Sequence, residues 1–146
     1  MNTTELSKAI AEKLEVYVKD PSKRCVKISG FNSICRYSSE SLNKVGDGCL
    51  VGAFLTPADR IKADKFFADK QNSSVRALSK HKEEMGVTVP KIIGDNLGLF
   101  AQLQELHDEE ENWEENSIST VGKQRLENLI VVYSLDREVF KNILDN

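Results

Sequence analysis

CLVGAFL (49–55) is the stretch on which the fold reading turns. Each of its residues is apolar or glycine, its length suits a strand, and no polar position marks a solvent face. A run of that kind predicts a central strand covered on both sides. Gly52 inside it predicts a bulge or the close approach of another backbone. Upstream, RCVKIS (24–29) alternates, with Val26 and Ile28 on one face. After Gly30, FNSICRY (31–37) reads as a second strand. SSESLNKVGDG (38–48) is a polar, glycine-bearing connection with a turn signal at Asp47-Gly48. Together these segments predict a small antiparallel sheet of about three short strands over 22–56.

Helices flank that region. Asn2 and Glu5 have the spacing of a capping box, and Leu6, Ile10, Leu14 and Tyr17 follow at helical intervals, widened by Ala9 and Val16. Asp20-Pro21 predicts the stop, because a residue before proline is pushed out of the α region. Thr56-Pro57 predicts the next start, with threonine as cap and proline at the first helical position. That helix is expected to reach about residue 70. A further helical stretch runs from Ser74, with Val75, Leu78 and Met85 on one side and Gly86 as its stop. A short extended piece is expected at 87–89, and 91–96 reads as loop. Leu99, Leu103 and Leu106 make the next apolar stripe, which Trp113 continues after a polar turn. Leu126, Leu129, Ile130 and Tyr133 follow at i, i+3, i+4 and i+7, and Asp136 can cap a last short helix carrying Val139, Phe140, Ile143 and Leu144. The expected class is α+β: an N-terminal helix, the small sheet and a C-terminal helical layer. It is expected as a single domain over 1–146, with the strands in 22–56 and the helices in 57–146.

At 146 residues, 40% hydrophobic and 29% charged, the chain can bury a core without staples and has none of the composition of a disordered tail. A net charge of −3 provides no basic field for phosphates, so nucleic acid is not an expected partner. No stretch approaches the ~20 apolar residues of a membrane span, and the amphipathic start MNTTELSKAIAEKLEVYVKD (1–20) has no signal-peptide h-region. Its 3 cysteines, Cys25, Cys35 and Cys49, are an odd set for disulfides. The chain is therefore expected to be soluble and cytoplasmic, with free thiols.

Three constellations are candidates for chemistry or binding. Cys25, Cys35 and Cys49 are weak candidates for a metal site, since zinc prefers close C-x₂₋₄-C pairs and none is present. They read otherwise as small buried hydrophobes. His107-Asp108 is a candidate acid/base pair, with Cys49 as a candidate nucleophile; adjacent helical residues point about 100° apart, which disfavours shared chelation. The alternative is a structural histidine at a helix end. Glu109, Glu110, Glu111 and Glu114, with Trp113 among them, form an acidic binding candidate or a solvated helix end. Basic residues at Arg60, Lys62, Lys65, Lys70, Arg76, Lys80 and Lys82 oppose this acidic third, which suits protein–protein contact or self-association. No Walker A, dinucleotide or G-x-S-x-G motif occurs, and no cofactor is expected.

Cys35-Arg36-Tyr37, a glycine-containing turn and Gly48–Leu55 resemble a C-x-Y … G-x-C-A-V-G-x-L-I signature of small uncharacterised proteins of bacteriophages and bacteria. Leu50 stands where the signature has alanine. Leu103-Gln104, His107-Asp108 and Trp113 resemble the family's L-Q-x-x-H-D … W segment, and 126–135 its closing helix. The resemblance implies a phage accessory protein that binds a bacterial host or defence protein. An enzyme or ligand binder built on the Cys35/Cys49 hairpin and His107-Asp108 is the alternative.

Overall fold

The Asn2 side chain accepts the Glu5 amide at 2.8 Å while the Glu5 carboxylate accepts the Asn2 amide at 2.9 Å, so the capping box closes and opens α1 (Thr3–Lys19). The computed structural model describes all residues except 30, 31, 43, 45, 71 and 146, and the backbone alone for 27–29 and 32–35. The chain divides into two compact units, Met1–Lys23 with Glu109–Asn146, and Arg24–Asp108.

In the first unit α1 buries Ile10, Leu14, Tyr17 and Val18. It packs against the 3₁₀ turn Arg137–Phe140 and the short C-terminal helix Lys141–Leu144, which bury Phe140 and Ile143. Ser7 locks this packing. Its hydroxyl donates to the Thr3 carbonyl and accepts the Asp136 amide, both at 2.8 Å, so a fully buried polar group is satisfied on both sides. The long amphipathic helix of this unit runs from Thr120 to Val132, capped by the Ser119 hydroxyl on the Gly122 amide at 3.1 Å.

The second unit holds α2 (Pro57–Phe67), α3 (Val75–Lys80), α4 (Lys82–Met85), α5 (Lys91–Gly94) and α6 (Leu97–Asp108). Thr56 caps α2, Ser74 caps α3, and Gly86 ends α4 at φ 71°, a left-handed value that glycine adopts freely. The 91–96 segment, expected as loop, carries α5 with Ile93 buried. Continuing the numbering, Thr120–Val132 is α7 and Lys141–Leu144 is α8.

The α+β expectation is overturned: the chain is mostly helical. Among the described residues the strands form one hairpin, Val26–Ser29 antiparallel to Asn32–Cys35, with Val26 opposite Cys35. Two strands of that length make no layer. The expected third strand at 49–55 is a turn followed by the 3₁₀ segment Gly52–Phe54. Its amides are used locally. Ala53 donates to the Cys49 carbonyl at 2.9 Å, Phe54 to Val51 at 3.0 Å and Leu55 to Gly52 at 2.9 Å. The Val51 amide goes instead to Gln104 Oε1 at 3.1 Å. No row of donors is left for a ladder. The close approach expected at Gly52 does occur, since a Cβ there would sit 2.1 Å from the Tyr37 carbonyl oxygen.

Loops of this unit are pinned by carboxylates on α2. Asp64, nearly buried, accepts the Tyr37 amide at 2.8 Å, the Ser38 amide at 2.9 Å and the Ser41 hydroxyl at 2.6 Å. Asp59 accepts the Thr88 amide at 3.1 Å, which ties the segment after α4, assigned no strand, to α2.

Candidate functional site

The α6 stripe of Leu99, Leu103 and Leu106 is buried, and the helix turn that seats it also buries His107 completely. The His107 ring is held at both nitrogens. Nε2 accepts the Cys25 amide at 3.3 Å, and Nδ1 meets Asp108 Oδ1 at 2.7 Å. An amide can only donate, so Nε2 carries no proton and Nδ1–H donates to the carboxylate. That is the neutral imidazole in its Nδ1–H tautomer. Burial pulls its pKa below the ordinary 6.5, and the Asp108 hydrogen bond and charge only partly oppose this.

Asp108 reaches its neighbour because α6 ends there, which frees the side chain from the interior-helix spacing. Gln104, one turn back, braces the carboxylate by donating from Nε2 to Oδ1 at 2.7 Å. The same amide's oxygen takes the Val51 amide, so Gln104 joins the helix end to the apolar turn. Arg24, also buried, donates from Nη1 to the His107 carbonyl at 2.7 Å. A cation there meets an orphan carbonyl of the last turn and the negative end of the helix dipole. Lys44 Nζ in turn donates to the Arg24 carbonyl at 2.9 Å.

His107 and Asp108 thus come together, as a dyad whose base nitrogen is occupied by a backbone amide and whose ring has no exposed surface. The thiol beside it is Cys25. Its Sγ donates to the Ser38 carbonyl at 3.3 Å. Burial pushes the thiol up to about 12, with the neighbouring Cys49 adding to the effect, so it stays protonated and non-nucleophilic. Cys49 is fully buried, and its sulfur accepts the Gly52 amide at 3.3 Å. The Cys35 side chain lies outside the described residues. Among the described residues no three His, Cys, Asp or Glu side chains are placed to hold a metal ion.

In the first unit the acidic run folds around a guanidinium. Arg125 on α7 donates to Glu109, to Glu111 Oε1 at 2.5 Å and to the Asn112 side chain at 2.8 Å. These contacts raise the Arg125 pKa, the Glu111 hydrogen bond most. Trp113 is buried and forms a β-bridge with Ile118. Ser119 closes the corner, donating from its amide to Asn112 O at 2.8 Å and from its hydroxyl to Glu111 O at 2.7 Å. Glu110 and Glu114 remain on the surface.

Sequence reading missed Arg24 and Asp64, and it noted Gln104 only in the resemblance, with no role. Each acts across a long separation on backbone groups, and no local pattern announces such a bond. It also passed over the outer stripe of α7. Val131 and Val132 are 77% and 70% exposed, and Val121 is exposed on the same side. Gln124 and Asn128 stand between them at helical spacing, so the stripe carries no charge. A residue-by-residue scan of α7 for uncharged positions opposite Leu126, Leu129 and Ile130 would have found it. No family model matches the chain, and no curated protein or solved structure matches it.

Proposed function

We propose that the chain is a phage-type accessory protein that works by binding a bacterial host or defence protein in the cytoplasm, with the outer stripe of α7 as its contact. The observation that carries this reading is the exposure of Val131 and Val132, 77% and 70%, on consecutive positions at the end of a well-capped helix. Single exposed valines are ordinary; an adjacent pair continued along an uncharged helical face is suited to an apolar groove on a partner. Arg125, Glu127 and Arg137 supply polar flanks, and the last two pair with each other at 2.7 Å. The buried, fully occupied His107–Asp108 dyad favours binding over catalysis, because the nitrogen a general base would use already holds the Cys25 amide. Among the described residues no helix is long and apolar enough to cross a membrane.

The test uses a photo-crosslinking residue in place of Val131, capture from bacterial lysate, identification of the adduct and reconstitution with the purified bacterial protein. Val131→Asp with Val132→Asp is expected to weaken that binary complex at least about tenfold, the scale of an interface hot spot, while circular dichroism stays unchanged. Equal affinity of the double variant, or no binary complex with any crosslinked protein, would sink the reading.

A further inference from the structure

His107 stands where α6, the start of the hairpin segment and the apolar turn at 49–55 are fastened together. The Cys25 amide enters Nε2, Arg24 caps the His107 carbonyl, and Gln104 links Asp108 to Val51. The acceptor at Nε2 exists only while the ring is neutral. A proton placed there turns the acceptor into a donor facing the Cys25 donor. It also places a new cation near Arg24 and Lys44, both of which act against protonation, while Asp108 acts in its favour. The Cys25 thiol remains neutral and does not compensate. α3 and α5, which also pack on α6, turn apolar side chains inward, Val75, Ala77 and Leu78 from one and Ile93 from the other.

We propose that His107 is an acid-sensitive latch: its neutral ring holds the Arg24–Cys25 segment to the C-terminal end of α6, and protonation at Nε2 releases that segment and the hairpin that follows it. The device is independent of the α7 contact and operates within the second unit. Its sign follows from the folded ring binding its proton more weakly than a free imidazole. The latch is closed above the free-imidazole value of about 6.5, and below it one proton is taken up on opening. The opening equilibrium therefore rises up to about tenfold for each pH unit below 6.5, until the folded ring itself titrates.

Amide hydrogen exchange between pH 7.5 and 5.0, expressed as protection factors, tests this on the whole chain. In the wild type the protection of the Cys25 amide is expected to fall up to about tenfold per unit below 6.5. His107→Gln keeps a neutral side chain with an acceptor oxygen at both pH values and is expected to abolish that slope. His81→Gln, which changes the second of the 2 histidines, is expected to leave it intact. Flat protection in the wild type, or the same slope in His107→Gln, overturns the proposal. Should His107→Gln fail to fold, ring ¹⁵N shifts of the wild type decide. An Nδ1–H tautomer at pH 7.5, with the Cys25 amide moving at the His107 midpoint, supports the latch. An Nε2–H tautomer, or a ring that titrates without the Cys25 amide moving, refutes it.

Discussion

Gly122→Ala places a methyl group where the acidic corner meets α7. A Cβ at that position would lie 2.3 Å from the Asn112 carbonyl oxygen and 2.6 Å from Ile118 Cγ1. The isoleucine can turn aside; the carbonyl is backbone and holds the Ser119 amide at 2.8 Å. Reaching ordinary contact requires a shift of about 1 Å, the scale at which overpacking costs about 1–3 kcal/mol. That shift strains the Ser119 bond, worth about 1 kcal/mol, and the Ser119 cap on α7, worth about 1 kcal/mol. Against these stands a propensity gain of at most about 1 kcal/mol for replacing a helical glycine. The balance is a destabilisation of about 2–4 kcal/mol, read as a fall of about 5–15 °C in melting temperature. Urea denaturation of wild type and variant measures it directly. Gly94→Ala is the control, because nothing lies within 4 Å of a Cβ there and alanine is expected to be neutral or slightly stabilising. A Gly122→Ala midpoint equal to or above the wild type would refute the corner as a rigid, close-packed element.

Asp64→Ala removes the acceptor of two backbone amides and a hydroxyl, and is expected to cost about 3 kcal/mol or more by urea denaturation, since each orphaned buried donor costs about 1–3 kcal/mol. Global stability is expected to decline as pH falls below about 6.5, by at most about 1.4 kcal/mol per unit from His107, because its folded pKa is depressed and the unfolded ring takes up the proton first. Denaturation curves at pH 7.5, 6.5 and 5.5 check the slope, and its persistence in His107→Gln would assign it to other groups. Cys25 and Cys49 are expected to resist alkylation in native protein and to react after unfolding, as mapped by mass spectrometry. Rapid native labelling of either would contradict their burial.

The helix boundaries were legible because they rest on local chemistry. Asn2 with Glu5, Thr56-Pro57, Ser74 and Gly86 act on amides or dihedrals within a few residues, and the structure places each at the helix end that the pattern indicates. The turn of chain after Asp20 is of the same kind. The His107–Asp108 pair was legible as residues but not as geometry. Interior-helix spacing separates adjacent side chains, and that rule lapses at the last residue of α6, where Asp108 turns back and Gln104 braces it. The acidic run carried a sequence signal of charge alone. That Arg125 gathers Glu109, Glu111 and Asn112 depends on how α7 returns past the corner, which no pattern in 105–115 encodes.

The misreading at 49–55 has a sharper cause. An apolar run says that its side chains leave water, and on that point the run behaves as read: Cys49, Leu50 and Val51 have no exposed surface. It says nothing about where its amides go. A buried strand needs neighbours on both sides to accept and donate, and among the described residues the hairpin strands pair with each other and not with 49–55. Without such neighbours the run satisfies its backbone groups by bonding to its own carbonyls three and four residues back, as Ala53, Phe54 and Leu55 do. The one amide shown leaving this local set, Val51, is met by a side chain of α6. Gly52 is needed for the close approach that its place in the run suggested: the tight turn brings Tyr37's carbonyl to within 2.1 Å of where a Cβ would be. Gly52→Ala tests that approach. The clash is with backbone that Asp64 has already fixed at Tyr37 and Ser38, so the variant is expected to lose the fold of the second unit while leaving α1 and α7 helical, as residue-resolved hydrogen exchange would read, and native protection across 24–108 would refute it.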